Sequence, residues 1–264
     1  MTKTQVLVVL TAIVLFVLLL FARKLPLPGA GSGSEADIAE MVAVSDDDFN
    51  KALETVDPIL KDAIKQQLKA NAFDSVARIF VKLNHIDLAA YIAEKKAKSV
   101  NSANAWYEAG EDYREAIGSV PPIKRKSFAG ASIRCLQRSL AIQPTNLDAK
   151  ASLGACYVEG TAEPMKGIGL LREVVQQDST NLKAQLNLAF FSMKSNQFAK
   201  AIDRFKKVIA IQPQNYELLL YLADAYEKAG EKENAITTLE KFVANSGDEG
   251  LKTEVKTYIN KLKK

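Results

Sequence analysis

Very little in this sequence is suited to chemistry. It holds two cysteines and one histidine in 264 residues. Cys135 and Cys156 are too few for a disulfide framework and lack metal-ligand spacing, and as helix-interior residues they read as small hydrophobes. The lone histidine, His85, has no second histidine or cysteine near it in sequence. A metal site or a proton relay needs such partners, so His85 reads as a solvated turn residue within Asn84-His85-Ile86-Asp87. A charge excess of one sign is also missing, with 35 Lys and Arg against 31 Asp and Glu. Setting aside Lys3, Arg23 and Lys24, which flank an apolar N-terminus, leaves 32 against 31. A nucleic-acid surface needs a clear basic excess, so that class drops out. Apolar and polar residues nowhere alternate for long enough to suggest a sheet. Gly167-Ile168-Gly169 falls inside a helical pattern rather than after a strand, which excludes a phosphate loop there. No catalytic residue, metal, cofactor or small-molecule substrate is expected.

What the chain does have is, first, an apolar run. Gln5 to Ala22 is 18 residues without a charge, 14 of them Leu, Ile, Val or Phe. As a helix it would rise about 27 Å, near the thickness of a bilayer core. Its apolar residues favour insertion by roughly 4–8 kcal/mol. Arg23 and Lys24 stop it, and Pro26 and Pro28 prevent continuation. A cleaved signal peptide is the competing reading; the run exceeds the usual core of about 7–15 residues, and the basic pair follows it directly. The expectation is a leader over 1–4, a transmembrane helix over 5–22 and a single-pass protein contacting the bilayer. Lys3 before the span against Arg23 and Lys24 after it is nearly a tie for orientation. The short leader leans the soluble part towards export, periplasmic or extracytoplasmic, without excluding the cytoplasmic side.

Residues 23–45 are rich in Gly, Pro, Ala and Ser and read as a flexible tether without packed structure. Asp46-Asp47-Asp48 then sits where a helix begins, as the positive end of the helix dipole favours. Beyond it, a 34-residue repetition organises the chain. In Leu182–Asn215 and Tyr216–Glu249, Leu188 matches Leu222, Ala189 matches Ala223, Ala201 matches Ala235, Phe205 matches Leu239 and Val208 matches Phe242. Leu147–Asn181 repeats the pattern with Leu153, Gly154, Tyr157, Gly167, Leu171 and Val174. Trp106, Gly110 and Tyr113 open a further unit that ends in Ser132, Leu136, Pro144 and Asn146, with an insertion over Ile117–Phe128. Small residues recur where two helices of a hairpin would cross: Gly110, Gly154, Ala189 and Ala223 against Ser132, Gly167, Ala201 and Ala235. Short side chains there permit close approach, and one hairpin buries its apolar face only by stacking on the next.

These residues resemble the tetratricopeptide-repeat family, with its pattern W-x2-L-G-x2-Y, then A-x3-F, then P. Trp106, Gly110 and Tyr113 fit its first helix, and Ala201, Phe205 and Pro213 its second helix and exit turn. The resemblance covers about 103–249 in four units: 103–146, 147–181, 182–215 and 216–249. Residues 46–101 read as degenerate helices with a hairpin from Phe73 to Ser99, and 250–264 as a capping helix with Leu251, Val255, Tyr258, Ile259 and Leu262 on one stripe. The implied fold is all-α, a right-handed superhelical solenoid.

The resemblance also implies a concave groove, lined by first helices, that receives a peptide or an amphipathic helix of another protein. Its groove positions fall here on Tyr107, Glu111, Lys183, Leu186, Asn187, Phe190, Lys194, Leu220, Tyr221 and Asp224, with Ala151, Ala155 and Lys228 alongside. Asn187 fits the middle residue of the clamp by which some members hold a chaperone's C-terminal carboxylate. Ala151 and Ala155 before it, and Glu217 and Tyr221 after it, do not. A mixed apolar groove around Leu186, Phe190, Leu220 and Tyr221 suits an amphipathic partner better, unless Phe190 or Tyr221 instead packs between hairpins. The basic insertion, Lys124-Arg125-Lys126 after Pro121-Pro122, is read as a solvated loop, a basic knob or a lengthening of the helices. The expected function is a membrane-anchored scaffold or adaptor without catalysis, the alternative a holdase-like or translocon-associated chaperone.

Overall fold

In this computed structural model, residues 42–264 are described; the expected leader, transmembrane helix and all but the end of the tether lie outside them. The described residues form thirteen helices and no strand. They are α1 (Asp46–Glu54), α2 (Pro58–Lys69), α3 (Phe73–Lys82), α4 (Ile86–Val100), α5 (Ala103–Ala116), α6 (Pro122–Ile142) and α7 (Leu147–Gly160). Then follow α8 (Pro164–Gln177), α9 (Leu182–Lys194), α10 (Phe198–Ile211), α11 (Leu218–Lys228), α12 (Lys232–Asn245) and α13 (Glu249–Leu262). No described helix is long and apolar enough to cross a membrane.

Local chemistry sets the ends of these helices. Ser102, Asn146, Asn181 and Asp248 each accept a hydrogen bond from the backbone N–H three residues on, satisfying a donor that the first turn leaves orphaned. At α1 the arrangement is reciprocal. Ser45 accepts from the Asp48 N–H at 3.1 Å, and the Asp48 carboxylate accepts from the Ser45 N–H at 3.0 Å. The turn after α9 takes its left-handed residue at Asn196 (φ 57°) and the turn after α11 takes it at Gly230 (φ 80°), 34 positions later. The repeat is thus written in backbone conformation as well as in side chains.

The end of the tether departs from the sequence reading. Ala43 and Val44 are buried in the same core cluster as Phe49 and Leu53, so the chain is packed before α1 begins. Val44 precedes the cap residue and Phe49 is the fourth helical residue, the two positions that pin a chain's entry into a helix when both are apolar.

The helices stack as consecutive hairpins. At the crossing of α5 and α6, the Ser132 hydroxyl donates to the Gly110 carbonyl at 2.7 Å. Between α7 and α8 the two backbones touch: a Cβ on Gly154 would stand 2.9 Å from the Gly167 carbonyl oxygen. Ala189 and Ala201, and Ala223 and Ala235, are buried at the corresponding places in α9–α10 and α11–α12. The core therefore runs along the stack as linked clusters, from Phe49, Phe80, Tyr113 and Phe128 at one end to Phe242, Val255 and Ile259 at the other.

The insertion is not a loop. Residues 117–121 turn, and Pro122 opens α6, which at 21 residues exceeds the 14 of α8, α10 and α12 by two turns. Proline's fixed φ suits the first helical position, which explains the sharp start. Lys124, Arg125 and Lys126 lie exposed on its first turns.

Candidate interaction groove

Side-chain contacts between first helices trace one continuous face. Lys183 on α9 is its pivot at the N-terminal end. Its ammonium donates to the Tyr107 hydroxyl at 2.7 Å, the Glu111 carboxylate at 2.5 Å and the Ser152 hydroxyl at 3.0 Å, joining α5, α7 and α9. Arg114 adds two bonds to Glu111, both at 3.2 Å. Burial works to raise the Glu111 pKa, but hydrogen bonds from Arg114 and Lys183 outweigh it and hold the carboxyl below its ordinary value. For Lys183 burial works downward, and the bonds to Glu111 and Tyr107 raise it on balance. The Glu111 carboxylate is thus shared between two cations, Lys183 and Arg114. Ala151 and Ala155 beside it are fully buried.

Farther along, the face changes character. Phe190 on α9 meets Tyr221 on α11 edge-to-face at 5.0 Å, and both rings contact Phe205 beneath, at 5.4 and 6.0 Å. Phe205 is fully buried, Phe190 half-buried, and Tyr221 is 45% exposed, so the trio is at once core and surface. Both sequence alternatives for these rings hold together: they pack between hairpins and still present an edge to solvent. Such ring pairs add about 0.5–1.5 kcal/mol beyond area burial. Leu186 packs partly buried against the same cluster, and Leu220 against the next.

The remaining expected positions are occupied locally. Asn187 donates one amide N–H to the Lys183 carbonyl of its own helix at 2.8 Å. Lys194 pairs with Glu159 at 3.4 Å and Asp224 with Lys228 at 2.9 Å. Of the ten predicted positions, Tyr107, Glu111 and Lys183 are brought into one bonded cluster, whereas Phe190, Leu220 and Tyr221 stay accessible.

Sequence reasoning missed the contribution of α13. Leu251, Glu254, Val255 and Tyr258 face α11 across a cavity of about 280 Å3. Tyr258, on the stripe read for the capping helix, is 39% exposed and donates to Glu227 at 2.6 Å. The signal was present: these residues stand 34 positions after Glu217, Leu220, Tyr221 and Asp224, so the capping helix keeps the register of a first helix. Ser152 and Arg114 were missed because the network they complete spans three hairpins.

His85 is an exposed turn residue preceding α4, with Nδ1 3.8 Å from Asp87. Cys135 and Cys156 are free and buried; burial pushes the Cys156 thiol up to about 11, and its sulfur lies 3.1 Å from the Ser132 hydroxyl. Among the described residues no cluster of His, Cys, Asp or Glu is arranged to hold a metal ion.

The geometry of the described residues defines a class: an all-α solenoid of stacked helical hairpins of the tetratricopeptide type. Residues 192–249 match the family described as tetratricopeptide repeat. The crystal structure of PilW, described as a widely conserved type IV pilus biogenesis factor, is similar in fold, with a TM-score of 0.55 and 20% identity, covering 73% of this chain and 84% of that one. A crystal structure of MamA aligns with a TM-score of 0.49 and 18% identity, over 66% of this chain and 90% of that one. Cellulose synthase operon protein C of Pseudomonas fluorescens (strain SBW25) is 26% identical over 174 residues, 58% of this chain. The aligned region is only 14% of that protein's length.

Proposed function

We propose that this chain is a membrane-tethered scaffold that docks other proteins in the C-terminal half of its groove and performs no catalysis. The observation that carries docking is the aromatic face at Phe190 and Tyr221, with the latter 45% exposed beside Leu220 on the first helices of their hairpins. Partly exposed aromatic rings held rigid by a buried third ring are the kind of anchor that dominates protein interfaces. The face around Lys183 offers no comparable opening, because Lys183, Glu111, Tyr107 and Ser152 satisfy one another. Tethering rests on the uncharged Gln5–Ala22 segment and its basic stop. The short leader favours an exported solenoid.

The test is recovery of bound proteins from native membranes with the wild-type chain and with a Leu220→Gln/Tyr221→Lys variant whose helical circular dichroism is unchanged. Saturable binding lost in the variant supports docking at this face. Identical recovery by both places the interaction elsewhere. Alkaline extraction and protease access in intact cells test the tether and its orientation.

A further inference from the structure

The groove's C-terminal end holds the cavity of about 280 Å3 closed by α11, α12 and α13. Its floor is apolar, formed by Leu220, Leu239, Leu251 and Val255. Around it stand the exposed residues Asp224, Glu227 and Glu254, and no basic side chain lines it. The volume falls below the roughly 300–1,000 Å3 typical of small-molecule sites, so it is sized for one or two side chains rather than a cofactor. Carboxylates over an apolar floor complement a cation beside a hydrocarbon. Lys228 pairs with Asp224 at 2.9 Å. Tyr258 registers the same negative field: its bond to Glu227, and secondarily burial, push the phenol up to about 12.

We infer that this cavity takes one large apolar side chain from a partner protein's segment whose flanking residues are Lys or Arg. This inference rests on the docking reading above and names the chemistry of its occupant. The floor excludes water from the anchor residue, while the carboxylates select the sign of its neighbours. Attraction at exposed carboxylates is screened by salt, so binding weakens as ionic strength rises.

The experiment uses the full chain in detergent micelles and fluorescein-labelled twelve-residue peptides. One has a central Leu-Leu flanked by Lys, one the same centre flanked by Glu, and one Lys flanks around Gly-Ser. The expected result is saturable binding of the first, at least about tenfold weaker binding of the other two, and a loss of about tenfold or more with Asp224→Lys/Glu254→Lys. Both substituted residues are exposed and leave the core intact. Equal binding of the Lys- and Glu-flanked peptides, or none by either, overturns the inference. Photo-crosslinking of native partners from position 221 separates the two levels. Crosslinks there alongside charge-blind peptide binding leave the docking reading standing and sink only the charge selectivity. No crosslinks from the groove sink both.

Discussion

Gly230 takes φ = 80° in the turn between α11 and α12, a region that L side chains enter only at a cost. A Cβ there would meet no neighbouring atom, so Gly230→Ala is a purely conformational substitution. It should destabilise the fold by about 1 kcal/mol in urea denaturation, whereas Asn196→Gly, at the same point one repeat earlier, should be neutral within about 0.5 kcal/mol. Asp112 supplies a second prediction. Burial, then repulsion from Glu115, Glu108 and Glu111 on its own helix, raise its carboxyl to about 6, with Lys96 of α4 opposing. Asp74 and Arg78 of α3 line a cavity together with Asp112 and Glu115. An acid whose folded-state pKa is raised binds more protons folded than unfolded, so its presence costs stability increasingly as pH rises from about 4 to about 6. Asp112→Asn should therefore raise the melting temperature at pH 8, by the equivalent of about 1–3 kcal/mol, and leave it unchanged at pH 3. A gain that persists at pH 3 would point to some cause other than ionisation.

Helices and their crossings are where sequence reading went furthest. Gly154, Ala189 and Ala223 in first helices, and Gly167, Ala201 and Ala235 in second helices, do lie in buried hairpin crossings. That followed from periodicity and side-chain size alone. At Gly167 even a methyl group collides with the Gly154 carbonyl and stands 2.7 Å from Val158 Cγ2. Gly167→Ala should therefore cost about 1–3 kcal/mol through overpacking, and Gly169→Ala, which meets nothing within reach, should not. Chemical denaturation of the two variants distinguishes a close crossing from a general intolerance of substitution in α8. Two elements were less legible. The insertion reads as a break in the repeat, but Pro121-Pro122 starts a helix rather than ending one, and the extra residues become two more turns of α6. The packing of Ala43 and Val44 went unseen because they end a short apolar run, Met41-Val42-Ala43-Val44, that follows a Gly-, Ser- and acid-rich stretch and is too brief to show a period.

At the scale of the whole molecule, the first-helix face from α5 to α13 divides into a closed half around Lys183 and an open half from Phe190 onward. Neither was separable from sequence, because the division depends on contacts between residues far apart in the chain: Lys183 reaches back 72 residues to Glu111, while Phe190 and Tyr221 lean on one shared ring. Family register placed Tyr107, Glu111, Lys183, Phe190 and Tyr221 on first helices alike; only geometry showed which of them neutralise one another. Opening the closed half should be costly. Lys183→Met removes one of the two cations bonded to Glu111 and should loosen the α5–α7–α9 stack, seen as faster amide exchange in those helices with α11 and α13 unaffected. The central claim is that partners enter the open half. The most direct measurement places a photo-crosslinking amino acid at Tyr221, and separately at exposed Lys207 on the second helix α10, in the full chain in native membranes. The account predicts discrete protein adducts from position 221 and none above background from 207. Adducts from 207 with none from 221 would contradict it.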